Sequence, residues 1–101
     1  MGTTNSNQSN YMIVKARATT AWNPASLVDA AGETKSITVT GAELGDMVLV
    51  SFSLDLQDIV LTGYVSAANT VEARLQNEGA ATVDLGAGTL TAIVMDQNSG
   101  I

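Results

Sequence analysis

The sequence has no histidine and no cysteine. Without them the Ser-His-Asp and Cys-His nucleophile systems cannot be assembled, and the usual ligands of a zinc site are missing. No disulfide framework is possible either, so stability has to come from packing, assembly or both, and thiols say nothing about redox compartment. Cations are scarce. Lys15, Arg17, Lys35 and Arg74 stand against ten acids, for a net charge of −6. Binding nucleic acid by neutralising phosphates needs a clustered basic patch, and these four are scattered, so no nucleic-acid partner is expected. The acidity reads as solubility and mutual repulsion. No apolar run reaches the roughly eighteen residues of a membrane-spanning helix, and the polar start MGTTNSNQSN lacks the charged and apolar regions of a signal peptide. Gly2 and Ser6 fit the short N-myristoylation pattern, which is too common to carry weight.

Large side chains are also few: one Trp, one Phe and two Tyr, with much of the apolar fraction in Ala and Val. Each buried position therefore contributes little area at about 25 cal/mol per Å². A chain of 101 residues forms one domain, and domains this small are often supported by oligomerisation. We divide it into an N-terminal arm (1–10), a β-domain (11–97) and a C-terminal tail (98–101). The arm is almost devoid of apolar groups. It is expected to be either flexible or ordered by lying on a neighbouring subunit.

What the chain does have is period-two alternation, the mark of strands with one packed face. Tyr11–Thr19 sets Met12, Val14, Ala16 and Ala18 against Tyr11, Ile13, Lys15 and Arg17; the two cations share a face that discourages edge pairing. Glu33–Thr40 puts Ile37 and Val39 inward and Ser36, Thr38 and Thr40 outward. Met47–Ser53 sets Val48, Val50 and Phe52 against Met47, Leu49, Ser51 and Ser53. Ile59–Val65 alternates Ile59, Leu61, Gly63 and Val65 with Val60, Thr62 and Tyr64. Thr70–Asn77 has Val71, Ala73 and Leu75 against Glu72, Arg74 and Gln76. Thr89–Asp96 has Leu90, Ala92 and Val94 against Thr91, Ile93 and Met95. Residues 59–61 and the last strand are apolar on both faces, which calls for a covering partner. Gly63, in mid-strand, predicts a bulge or the close approach of another backbone.

Between strands, Asn23-Pro24 signals a turn, and 21–32 is read as a loop rather than a short helix. Trp22, at its start, is expected to be a core lid or an intersubunit contact rather than a ligand platform. In Gly41–Asp46, Leu44 is expected to be buried as a plug. Ser66–Asn69 is a turn, and Val83–Leu85 is a short extended piece before a second turn at Gly86-Ala87-Gly88. Gly86-x-Gly88 lacks the third glycine and the flanking strand and helix of a dinucleotide-binding loop.

Asp55 and Asp58 are the nearest approach to paired catalytic carboxylates, but no cation, His or Tyr adjoins them, so they read as solvated loop charges. Calcium is conceivable there, although the spacing lacks the dense carboxylate pattern of a calcium loop. A Ser-Lys dyad would need a desolvated Lys15 or Lys35. We therefore expect no enzyme, no catalytic or metal residues and no cofactor. Six or seven short strands with Gly/Asn/Asp turns and no convincing helix define an all-β protein, a small antiparallel β-sandwich or barrel of jelly-roll-like type with a flexible N-terminal arm.

From Gly41 onward the residues form a recognisable series: Gly41-Ala42-x-Leu44-Gly45-Asp46, Val48-x-Val50-Ser51, Gly63-Tyr64-Val65-Ser66-Ala67-Ala68-Asn69-Thr70-Val71, Asn77, Val83-Asp84-Leu85 and Gly88-Thr89-Leu90. This series resembles a small β-domain of tailed-bacteriophage virion proteins, which includes capsid decoration (cement) proteins and terminal domains of tail fibres. The likeness does not extend before about Thr34. It implies a homotrimer on the outer surface of the capsid head of the virion, made in the host cytoplasm. There each trimer would bridge subunits of the major capsid protein and favour the mature shell by binding only that state. A start at Met and the lack of an upstream fibre repeat favour a free-standing decoration protein. The alternative is a tail-associated receptor- or glycan-binding module, for which Trp22 and Tyr11 are the only candidate aromatic platforms.

Overall fold

The computed structural model of the chain describes residues 13–97. The expected arm (1–10), the start of the first strand at Tyr11 and Met12, and the tail (98–101) lie outside the described residues. Six strands follow in order: β1 (Val14–Trp22), β2 (Gly32–Thr38), β3 (Met47–Phe52), β4 (Ile59–Ala67), β5 (Thr70–Asn77) and β6 (Gly88–Met95). They form two antiparallel three-stranded sheets, β1-β6-β3 and β2-β5-β4. With no helix among the described residues, the protein is a small all-β sandwich.

The alternation explains the layering. The inward residues of the two central strands, Val71, Ala73 and Leu75 on β5 and Leu90, Ala92 and Val94 on β6, are completely buried. Ile37 and Val39, Ile59 and Val65 join them, with Val48, Val50 and Phe52 packed against the same cluster. Trp22 closes one end of this core, edge-on to Phe52 with ring centroids 5.9 Å apart.

Gly63 marks a close approach, made by side chains of the opposite sheet and not by a backbone. A Cβ there would stand 2.6 Å from Val50 Cγ1. The small pair Gly63–Ala73 on β4 and β5 leaves the room that Val48 and Val50 fill.

Four local expectations are corrected. The first strand runs to Trp22, so Ala21 and Trp22 belong to β1, paired with Thr89 and Gly88, and not to the following loop. β4 runs to Ala67, leaving only Ala68 and Asn69 as the turn; Asn69 holds a positive φ of 63°. Leu44 is no plug: it is 65% exposed. The loop instead buries Ala42, in the core, and Asp46.

The fourth correction changes a face. A β-bulge between Val14 and Ala16 leaves Lys15 without a cross-strand partner. One extra residue reverses the phase of a strand. Val14 therefore does not share the inner face of Ala16 and Ala18; it sits exposed opposite Met95. Lys15 likewise parts company with Arg17. Its ammonium turns to the 43–46 loop, while Arg17 stays exposed.

Candidate functional site

Two buried polar residues organise the loops. Asn77, at the end of β5, is fully buried. Its Nδ2 donates to the carbonyls of Leu27 and Ala81, both at 2.9 Å, and its Oδ1 accepts from the Gly79 N–H at 2.9 Å. A full set of amide bonds in a dry setting holds the chain in one arrangement. It fixes the 23–31 loop, where Leu27 also makes an antiparallel bridge to Val83. This segment contains no helix, in line with its reading as a loop. Glu33 ties its other end, accepting from Trp22 Nε1 at 2.7 Å and from the Ala25 N–H at 2.9 Å.

Asp46 is the second anchor. Its side chain is buried and accepts from Lys15 Nζ at 2.8 Å, the Glu43 N–H at 2.9 Å and the Gln97 N–H at 3.1 Å. Lys15 Nζ also donates to Glu43 Oε1 at 2.6 Å. The hydrogen bond from Lys15, helped by the two backbone donors, holds the Asp46 carboxyl below its ordinary value despite burial. The same two carboxylates raise the Lys15 ammonium above its usual range. The Lys15 ammonium is thus paired with two carboxylates and not with a serine.

The expected sites can now be placed. Asp55 Oδ1 accepts from the Gln57 N–H at 2.9 Å, a local turn that holds Gln57 at a φ of 55°. Asp58 packs beside Gly79 and accepts through its carbonyl from the Glu78 N–H. No cluster of three metal-ligating side chains forms among the described residues. Trp22 is enclosed in the core with its indole N–H already bonded, so it offers no face for stacking on a sugar. Tyr11 lies outside the described residues.

The motif residues themselves are absorbed by the scaffold. Gly41 and Gly45 take positive φ values of 100° and 93°. Asn69 Oδ1 accepts from the Gly41 N–H, and the Asn69 backbone bonds Val39 and Ala42. Asp84 Oδ1 caps Gly86, and Gly88 leaves room for the Phe52 ring. Most of the residues that carry the resemblance therefore specify turns, anchors or core, while Leu44 and Tyr64 stand exposed.

What remains to meet a partner are the outer faces of the two sheets, and they differ. On β2-β5-β4 the cross-strand rows are Thr34–Arg74–Thr62 and Ser36–Glu72–Tyr64. Their polar groups serve one another: Arg74 donates to Thr34 and Gln76, and Tyr64 to Glu72. On β1-β6-β3 the rows are Val14–Met95–Met47, Arg17–Ile93–Leu49 and Thr19–Thr91–Ser51. The first two are apolar except for Arg17. The alternation already sets Met47, Leu49, Ile93 and Met95 on one apolar face; it misses Val14, because the bulge that delivers Val14 there has no signature in the pattern. In comparisons with known proteins the chain matches no family model, no curated protein and no solved structure.

Proposed function

We propose that this chain is a bacteriophage structural protein, a capsid decoration (cement) protein that sits on the outer head shell as a homotrimer and stabilises it by bridging capsid subunits. The observation that carries the reading is the disposition of the motif residues. The Gly45-Asp46, Asn69 and Asn77 positions of the virion-like series all build a rigid small sandwich, and its broad sheet faces are left as the surfaces for contact. Such a protein works mechanically. It binds one state of a lattice and stabilises that state by mass action, and many weak contacts add through avidity. A tail-associated glycan-binding module is the poorer reading, because burial of Trp22 removes one of its two aromatic platforms.

Electron microscopy of the particle tests the proposal. Density for this chain on the outer head shell, and restored occupancy when purified protein is added to bare heads, is the expected result. Density at the tail alone, or no binding to bare heads, would overturn it.

A further inference from the structure

We propose that the outer face of β1-β6-β3 is the surface through which copies of this chain meet. The proposal rests on the oligomeric part of the function above and assigns it a surface.

The face is an apolar strip. Val14, Met47 and Leu49 are exposed, Leu49 by 58%, and they flank the half-buried Ile93 and the buried Met95 on the central strand. Continuous apolar cross-strand rows on an open sheet face signal an interaction surface more than scattered exposed residues do. The opposite outer face exposes Val60 and Tyr64, but they are set among threonines, Glu72, Arg74 and Gln76, and its polar groups are in part mutually bonded, so no continuous apolar row forms there.

Charge selects the occupant. The ten carboxylates lie in the loops and on β2 and β5, and none lies on β1, β3 or β6. Two copies that each carry −6 repel wherever acid faces acid. The acid-free face is where they approach at least cost. Arg17, on the edge strand beside this strip, is exposed and has no ion-pair partner among the described residues. It is the one charged residue in the three cross-strand rows of this face, opposite in sign to the net charge of an approaching copy.

Size sets the expected strength. Three strands about 4.8 Å apart, over some six residues of about 3.3 Å each, make a footprint of roughly 300 Å². A standard interface takes about 800 Å² from each partner. Association through this strip is therefore reversible and concentration-dependent in solution, and a lattice of sites reinforces it.

Light scattering and sedimentation of the full chain, from low micromolar to near-millimolar concentration, test the proposal. The mass is expected to rise with concentration. Association should strengthen between low salt and about 0.5 M, because screening relieves like-charge repulsion while the apolar contact persists. Leu49→Glu should raise the concentration of half-association at least about tenfold. Ser51→Glu, on the same face, should act in the same direction. Thr62→Glu adds the same charge to the other sheet opposite Arg74 and should leave assembly unchanged. Far-UV circular dichroism checks that each variant is folded. A wild type that keeps a single-copy mass throughout overturns the proposal. So does a folded Leu49→Glu and Ser51→Glu pair that assembles like wild type, or a Thr62→Glu variant that dissociates. A chain that is single in solution and assembles only on bare heads assigns the strip to the shell, and also overturns it. The functional reading fails separately: an oligomer that uses this face but ignores bare heads sinks the decoration role and leaves this inference standing.

Discussion

The two sheets have the same strand number and share one core, yet each is secured by a different kind of buried polar group. On the β2-β5-β4 side the anchor is Asn77, a neutral amide with three bonds to backbone. On the β1-β6-β3 side it is Asp46, a carboxylate clamped by Lys15 and two N–H groups. The amide is indifferent to pH; the ion pair is not. Within one small domain, one half is fixed by a bond pattern that solution conditions barely touch, and the other by one that pH can undo.

Asn77→Ala should break the comparison most severely. It leaves two carbonyls and one N–H without their partners in a dry site, and each such group costs about 1–3 kcal/mol. A loss of about 3 kcal/mol or more is expected from urea denaturation, with the slope unchanged if the transition stays two-state. An Asn77→Ala variant as stable as wild type would remove Asn77 as an anchor.

Gly63→Ala tests the layer the two sheets share. Its new Cβ meets the branched end of Val50 at 2.6 Å, and overpacking of this kind costs about 1–3 kcal/mol. The same denaturation midpoint measures it. A second change, Val50→Ala, should recover part of the loss if the clash is the cause.

Asp46→Asn should have a smaller effect at neutral pH and a distinctive pH signature. A carboxyl whose folded pKa is depressed contributes stability above its unfolded value, near 3.8, and that contribution is lost as pH falls through the folded value. Wild type should therefore lose melting temperature below about pH 4 more steeply than Asp46→Asn. Lys15 works from the other end. Its folded pKa is raised, so its contribution is complete below the unfolded value of 10.5 and fades as pH climbs past it. Parallel wild-type and Asp46→Asn melting curves across the acid range would show that the clasp contributes no pH-dependent stability.

Much of this contrast could be read from the residues in advance, and the limits have physical causes. The alternation at Met47–Phe52 and Thr70–Asn77 assigns inner and outer residues correctly, because an unbroken strand keeps its phase. The same reasoning fails at Val14 and Lys15, where a bulge reverses the phase without any Gly or Pro to announce it. Leu44 misleads because hydrophobicity alone makes it the natural plug. The loop is instead organised by Asp46, which finds a cation 31 positions earlier in the chain. Asn77 was legible only as part of a series of motif residues. Its role depends on Leu27, 50 positions away, and no local pattern encodes that separation. The apolar outer halves of β3 and β6 show in the alternation, but that they form one strip with Val14 emerges only once register is known.

The order of pairing has a final consequence for synthesis. β6 lies between β1 and β3, which have no other partner in their sheet. As the polypeptide emerges from the ribosome, β2, β4 and β5 can associate early, while β1 and β3 wait with open edges until residue 95 has cleared the exit tunnel. Long-range pairings of this sort close slowly and leave sticky intermediates exposed. A nascent chain stalled after β5 should therefore be protease-sensitive throughout β1 and β3. Resistance there would mean that these strands find temporary cover before their true neighbour arrives.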